Sequence, residues 1–228
     1  MIAGVPASVP VCGVNIMIYQ EVIMNTVITI SRQFGSGGRL IGKLLAERLG
    51  IPFYDKEIID QASQNSGLAK EFIKENEQKR KGISSYALPA TAWGGIAWSN
   101  FDNLEAQIYA AEAQAINGFA DKGACVIVGR CADYVLKKRD NCLNVFIHAD
   151  LDSRVKRVME VYGDADSVKK AEKLIRDTDK LRARHYRYYT DTEWGNSDNY
   201  HLCVNSAAFG VDRCVEMLAS AYQEFDKR

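Results

Sequence analysis

The apolar positions of this chain form two kinds of pattern, short continuous runs and longer stretches at helical spacing. The short runs predict five strands. Ala124 to Val128 is apolar throughout, as a strand covered on both faces of a parallel sheet should be, and we interpret Leu143 to His148 as another such strand. The five strands cover Val27 to Ile30, Pro52 to Tyr54, Ala124 to Val128, Leu143 to His148 and His201 to Asn205.

Between these runs, apolar residues recur every three or four positions, which predicts helices. In the first helix, Leu40 belongs to the predicted apolar face and Gly50 ends the helix. Strands that alternate with helices predict a doubly wound parallel α/β sheet. The predicted helices cover Gly38 to Leu49, Lys56 to about Ser63, about Asp102 to Asp121, about Leu151 to Tyr162, Ser167 to Tyr188 and Val211 to Phe225.

Residues 65 to about 101 break this pattern, because they are polar and irregular. Their last part, GISSYALPATAWGGIAWSNF, predicts a long mobile loop. Its tryptophans, Trp93 and Trp98, are compatible with stacking on a base, covering a dimer surface or packing the loop down.

A glycine-rich turn follows the first strand and opens the first helix. Its residues are Gly35, Ser36, Gly37 and Gly38. Glycines let successive backbone N–H groups converge on an anion, and the helix start adds about half a positive charge. A tight connection with no ligand is the alternative, but the position after the first strand favours a phosphate cradle.

Charged side chains stand at the ends of the other predicted strands. Asp55 follows the second, Arg130 the third and Asp150 the fourth. Ligands of parallel α/β sheets bind at the carboxyl ends of the strands. A phosphate cradle that faces arginines and carboxylates suits phosphoryl transfer. Arg130 could instead cap a neighbouring helix, and Asp55 could be the N-cap of the helix that it precedes.

Charge balance and cysteine spacing exclude some classes of function. Lys and Arg number 29 against 29 Asp and Glu, so no global field favours nucleic acid or a membrane surface. The six cysteines show no C-x-x-C spacing, which predicts reduced thiols and a cytoplasmic protein.

Residues 1–24 carry no Lys or Arg and are interrupted by Pro6 and Pro10. They resemble neither a signal peptide nor a membrane span. We interpret them as a loose tail or a misassigned start, and residues 25–228 as a single domain.

Five segments together carry a family resemblance: ITISRQFGSGG, IPFYDKEIID, CVIVGRCADYVL, DKLRARHYRYYT and NYHLCVNSAAFGVD. From about Met24 onward the chain resembles the cytidylate kinase-like proteins, bacterial relatives of the CMP kinases. The resemblance implies a P-loop fold with strand order 2-3-1-4-5, an acceptor-binding region over about residues 56–104 and a lid over about 151–187. It also implies transfer of the γ-phosphoryl of ATP, with Mg²⁺, to a nucleoside monophosphate such as CMP or dCMP.

Site residues follow from the resemblance by position. Gly35, Ser36, Gly37 and Gly38 match the phosphate loop. Asp55 matches the aspartate of a D-S-G motif that holds the acceptor nucleoside, although Lys56 and Glu57 replace the Ser-Gly.

Arginines match the phosphate-binding positions of the family. Arg130 matches the arginine of D-G-R-D, but both flanking aspartates are absent. Asp179 and Arg182 match a D-x-x-R segment in which the arginine contacts phosphate and the aspartate contacts the sugar or orients that arginine. Arg154 and Arg157 resemble lid arginines that close over donor phosphates, although exposed helix faces also carry such residues.

The lysine of a standard P-loop is absent, since Gly38 stands in its place and Arg39 follows. An arginine can bind phosphate bidentately. One residue further along a helix, however, turns a side chain by about 100°. Either Arg39 curls back over the loop, or Arg32 supplies the charge.

The Mg²⁺ ligands are also unidentified. Arg39 coincides with the position where a Ser or Thr usually holds the ion. Ser36, Asp55 and Asp150 are candidate replacements. The sequence therefore favours a kinase with Arg39, Arg130 and Arg182 in catalytic roles. The alternatives are a non-catalytic nucleotide sensor and a kinase for another small acceptor.

Overall fold

The computed structural model describes residues 25–67 and 98–227, without the side chains of 98–104. Five parallel strands form one sheet in the order β2-β3-β1-β4-β5, which confirms the predicted order 2-3-1-4-5. The strands are β1 (Val27–Arg32), β2 (Phe53–Tyr54), β3 (Cys125–Val128), β4 (Cys142–His148) and β5 (Leu202–Asn205).

Helices connect the strands and cover both faces of the sheet. A π-helical turn, Val158–Tyr162, continues α5, and a short 3₁₀ turn, Ser197–Asn199, precedes β5. The described helices are α1 (Gly38–Leu49), α2 (Glu57–Ser66), α3 (Trp98–Ala120), α4 (Ala132–Val135), α5 (Leu151–Arg157), α6 (Val168–Thr190), α7 (Ser206–Phe209) and α8 (Val211–Phe225).

The core has two layers because side chains of a strand alternate between faces. Ile28 and Ile30 of β1 point to the face that α1 and α8 cover, where Leu45 and Leu218 are buried. Val27 points to the opposite face, against α3. Both layers exclude water, which stabilises the sheet and holds the ends of its strands in place.

Local predictions differ from the structure at several points, among them β1, the start of α3 and the exposure of Leu40. β1 continues through Arg32 rather than ending at Ile30, because it pairs with β4 along its whole length, up to Arg32 opposite Ile147. Residues 98–101 begin α3 and are not part of a loop. Leu40 is 46% exposed, because it lies at the first turn of α1 beyond the layer that covers the sheet.

The predicted loose tail and most of the predicted tryptophan loop, including Trp93, lie outside the described residues. The same holds for much of the acceptor-binding region. Within residues 25–67 and 98–227, no helix is both long enough and apolar enough to cross a membrane.

Candidate functional site

The glycine-rich turn joins β1 to α1 at the carboxyl edge of the sheet. Gly35 and Gly37 have φ of +79° and +78°, a conformation that glycine adopts without strain. Ser36 between them is fully buried, and its Oγ donates to the carbonyl of Gln33 at 2.9 Å. The N–H of Gly38 donates to the same Oγ at 3.3 Å. The loop is therefore held by its own hydrogen bonds.

Gly38 stands where a standard P-loop has its lysine, and the structure leaves little space for a side chain there. A Cβ at this position would lie 2.6 Å from the Cβ of Arg32 and 3.1 Å from the Cβ of Ile147. These are strand atoms at the end of β1 and β4, so they cannot move aside cheaply. The close approach of α1 to the sheet leaves no space for a side chain at position 38.

Arg157 of α5 lies against the glycine-rich loop. Its Nη1 is 1.7 Å from the place that a Cβ on Gly37 would occupy, and it donates to the carbonyl of Ser36 at 3.2 Å. Ser206 donates to the same carbonyl at 2.5 Å, so the loop is also attached to the start of α7. The sequence placed Arg157 in a lid, and the structure places its guanidinium on the loop.

Arg154 lies beside the loop, but its guanidinium pairs with the carboxylate of Asp179. Its Nη1 is 2.5 Å from Oδ2 of Asp179 on α6 and 3.4 Å from the carbonyl of Phe34. The Asp179 carboxylate also accepts from the N–H of Phe34 at 2.7 Å. Asp179 therefore orients Arg154 more directly than it orients Arg182, whose Nη1 lies 3.8 Å from Oδ1 of Asp179.

A cleft beside the end of β1 contains positive side chains. Arg182 donates from Nη1 to the carbonyl of Arg32 at 2.9 Å. Burial lowers the pKa of Arg182, and the carboxylate of Asp179 opposes this. An arginine remains charged under such conditions. The residues that line the cleft are Ser31, Arg32, Gly129, Arg130, Cys131, Arg182, His185, Tyr186 and Trp194.

Arg32 connects the loop to the cleft. Its Cβ packs under Gly38, while its Nη1 lies 2.0 Å from the place that a Cβ on Gly129 would occupy. The stem thus supports the loop and the charged end lies in the cleft. Glycine at position 129 makes room for this guanidinium.

Arg39 does not curl back over the loop. Its Nε lies 2.5 Å from Oδ2 of Asp55, and its side chain is 56% exposed. Asp55 also faces Arg32 at 4.0 Å. The carboxylate does not cap α2, whose N-terminus has no side-chain cap. Of the two arrangements considered for Arg39, the structure has the one in which it points away.

Arg130 pairs with Glu112 of α3 rather than capping a helix. Glu112 was not among the residues predicted from the sequence, although a signal was present. It falls one residue after Ala111 and four after Ile108, within the apolar stripe of α3. A lone carboxylate in a buried stripe indicates a buried charged partner.

The candidate Mg²⁺ ligands have other partners. Ser36 is buried within the loop, and Asp55 faces two arginines. Asp150 accepts from the N–H of Ser153 at 2.8 Å and caps α5. In the described ranges no group of three His, Cys, Asp or Glu is placed to hold a metal ion. These side chains do not fit a direct protein site for Mg²⁺.

The arrangement can hold two anions, one at the glycine loop and one in the arginine cleft. At the loop, backbone N–H groups and the start of α1 favour a phosphate. In the cleft, guanidinium groups suit a phosphate or a carboxylate. Arg32 lies between the two regions, so anionic ligands at both would meet near the end of β1.

Comparison with known proteins gives a consistent picture. The cytidylate kinase-like family matches residues 27–208. A cytidylate kinase of Methanococcoides burtonii is 26% identical over 194 residues, which cover 85% of this chain and 95% of that protein.

Solved structures also resemble this fold. An uncharacterised protein from Eubacterium ventriosum is 29% identical with a TM-score of 0.63, over 87% of this chain and 98% of that one. Shikimate kinase from Bacteroides thetaiotaomicron is 14% identical with a TM-score of 0.52 and the same coverage, which shows a kinase fold alone. The family match spans most of the chain, and the sheet order agrees with it. The chain therefore belongs to the cytidylate kinase-like family.

Proposed function

We propose that this protein is a nucleoside monophosphate kinase that transfers the γ-phosphoryl of ATP to CMP or dCMP. The observation that carries the proposal is the glycine loop and the arginine cleft, which Arg32 connects. Donor phosphates bind the loop of Gly35, Ser36, Gly37 and Gly38, and the acceptor phosphate binds the cleft. The membership of the chain in the cytidylate kinase-like family supports this choice of substrates.

The cleft residues have the chemistry that such an acceptor requires. A nucleoside monophosphate carries an anionic phosphate, so the attacking oxygen needs no general base. Arg130 and Arg182 hold that phosphate in line and neutralise charge on the moving phosphoryl group. Arg32 lies between donor and acceptor and contributes to both. Asp55 keeps its proposed role at the acceptor nucleoside.

Arg157 is the residue that we propose in place of the missing lysine. It is the guanidinium in contact with the backbone of Gly37, whereas Arg39 pairs with Asp55. Its position on α5 lets it act on donor phosphates from the lid side. Arg154 then supports the lid through Asp179. Arg39 acts indirectly, by holding Asp55 on the acceptor side.

ATP fits the loop, because the positive φ angles of Gly35 and Gly37 bring backbone N–H groups toward one region. ATP supplies the phosphoryl group. We propose that Mg²⁺ enters with the ATP phosphates and keeps mostly water and phosphate ligands, as this ion often does.

A panel of nucleoside monophosphates tests the proposal. Purified protein should convert CMP or dCMP, with Mg·ATP, to the diphosphate and ADP, faster than it converts AMP, GMP or UMP. Coupled detection of ADP and direct separation of the nucleotides give independent measurements. A panel without turnover of any member would overturn the proposed activity.

A second candidate is a nucleotide sensor that binds ATP without transferring phosphate. The packing of Gly38 favours it, because position 38 cannot carry the lysine of an active P-loop. Binding of ATP without turnover of any acceptor supports this candidate. A kinase for another small anionic acceptor is distinguished by adding small carboxylates and phosphorylated sugars to the panel.

A further inference from the structure

Glu112 is a buried carboxylate that the proposed reaction does not use. It lies on α3, its side chain is 3% exposed, and it forms an ion pair with Nη1 of Arg130. The Arg130 side chain is itself only 13% exposed. Removing two charges from water is unfavourable, and an apolar pair of similar volume is often as stable or more stable. Stability alone therefore does not account for this pair.

The backbone that carries Arg130 is also unusual. Gly129, Arg130 and Cys131 have φ of +80°, +57° and +55°. For a residue other than glycine this conformation costs on the order of 1–3 kcal/mol. Two hydrogen bonds hold the turn, from the N–H of Gly129 to Ile30 and from the N–H of Ala132 to Gly129. The turn directs Arg130 into the cleft at the end of β3.

Like charges surround Arg130 in the cleft, because Arg32 and Arg182 line it as well. Each of these arginines has a carboxylate nearby, Asp55 at 4.0 Å and Asp179 at 3.8 Å. The carboxylate at Arg130 is Glu112, the most buried of the set. Without it, mutual repulsion would favour rotamers of Arg130 that leave the cleft.

We propose that Glu112 is a positioning residue that holds Arg130 in the orientation that receives the acceptor phosphate. The inference rests on the proposed function. A guanidinium has five N–H donors in a fixed plane, more than one carboxylate can take. When Glu112 holds one edge, the plane of the group is set before the acceptor arrives. The Arg130 side chain is then already ordered in the free protein, so binding of the acceptor does not require the loss of its conformational entropy.

Steady-state kinetics of Glu112→Gln test the inference. The amide keeps the size of the side chain and an acceptor oxygen but removes the charge. The KM for CMP should rise about tenfold, which corresponds to 1.4 kcal/mol. The KM for ATP should stay within about twofold of wild type, since the ion pair that the variant weakens joins Glu112 to a residue of the acceptor cleft. Glu105→Gln, the same change two turns earlier on α3, is the matched control and should leave both constants unchanged.

A binding measurement separates positioning from a general structural role. Calorimetric titration of wild type with CMP and with cytidine gives the contribution of the phosphate to affinity. Glu112→Gln should reduce the preference for CMP over cytidine about tenfold, while the affinity for cytidine is unchanged. A loss of affinity for both ligands would instead indicate general damage and overturn the inference.

Glu112→Asp provides a second route if the glutamine variant does not fold. It keeps the charge but shortens the side chain, so the KM for CMP should rise less than in a folded Glu112→Gln and more than in Glu105→Gln. If wild type phosphorylates CMP and every folded Glu112 variant matches the control, the inference fails and the proposed function stands. If wild type neither phosphorylates CMP nor prefers it over cytidine, both fail.

Discussion

The carboxylate of Asp179 lies 2.5 Å from the guanidinium of Arg154, and it also accepts a hydrogen bond from the backbone of Phe34. Phe34 immediately precedes the first glycine of the loop. One carboxylate on α6 therefore joins α5, α6 and the glycine-rich loop. Movement of the proposed lid and occupation of the loop are expected to be linked through this contact.

Asp179→Asn should weaken that link. The amide keeps an acceptor for the N–H of Phe34 but loses the charge that balances Arg154, whose side chain is only 11% exposed. We expect a loss of roughly 1.5–3 kcal/mol in the free energy of unfolding, the range for hydrogen bonds to charged groups. Urea denaturation measures it, with Asp177→Asn as the control, because Asp177 forms an exposed pair with Lys173 on the same helix. Equal losses in both variants would contradict this role for Asp179.

Arg157→Ala tests the replacement of the P-loop lysine. If Arg157 stabilises the transferred phosphoryl group, kcat/KM for ATP should fall by about 10³-fold, the lower end for a transition-state arginine. Arg39→Ala should affect the acceptor constants instead, because Arg39 contacts Asp55. Arg48→Ala, which removes an exposed ion pair with Glu216, is the control for a lost surface arginine. A larger loss in Arg39→Ala than in Arg157→Ala would reverse the assignment.

Gly38→Ala should destabilise the fold. The new Cβ would lie 2.6 Å from the Cβ of Arg32, and such overpacking costs roughly 1–3 kcal/mol. Gly118→Ala on α3 is the matched control, because a Cβ there meets no atom within 4 Å. It should raise stability by about 0.5–1 kcal/mol, through helix propensity. Thermal unfolding measures the change in stability of each variant, which should be negative for Gly38→Ala and positive for Gly118→Ala. If α1 could shift away from the sheet, Gly38→Ala would not lose stability.

Asp133 and Asp150 should change the pH dependence of stability in opposite directions. Burial raises the pKa of Asp133, although a hydrogen bond from Tyr186 partly opposes this. Its ionised form is thus unfavourable in the folded state. The penalty is absent below the unfolded pKa near 3.8 and develops as pH rises through the folded pKa. Asp133→Asn should therefore gain stability relative to wild type as pH rises from about 4 to 7.

The pKa of Asp150 is lowered, mainly by hydrogen bonds from Ser153. Its contribution to stability is present above the unfolded pKa near 3.8 and is lost as pH falls through the folded pKa. Asp150→Asn should therefore lose stability at neutral pH and approach wild type in acid. Denaturant titrations of both variants at several pH values measure the two slopes. If the stability difference from wild type changed with pH in the same direction for both variants, the opposite pKa shifts of Asp133 and Asp150 would be contradicted.

Much of the fold was predictable because the residue patterns that specify each element are local. The apolar runs around Val27 and Leu143 and the helical spacing from Gly38 to Leu49 each predict one element, and the order of elements favours a parallel sheet. The limits of elements were less predictable. β1 extends to Arg32 because β4 supplies pairing partners there. The residue pattern within β1 contains no information about that pairing.

The candidate site was predictable as a set of residues and not as a set of contacts. Sequence pattern and family resemblance identified Gly35 to Gly38, Asp55, Arg130, Asp179 and Arg182, whose functional roles stay predictions. The residues that these side chains contact were not predictable from sequence pattern or family resemblance. Asp179 meets Phe34 across 145 positions of sequence, and such a pairing depends on how helices pack on the sheet.

By itself, then, the sequence determined the alternation of strands and helices, the glycine turn and the absence of a lysine after it. Those features depend on residue type and spacing along a few turns of chain. Only the tertiary structure decided that Arg39 points to Asp55, that Arg157 lies on the loop and that Glu112 holds Arg130. The direction of a long charged side chain depends on which opposite charge or backbone carbonyl is within reach, and folding brings those groups together from distant parts of the chain.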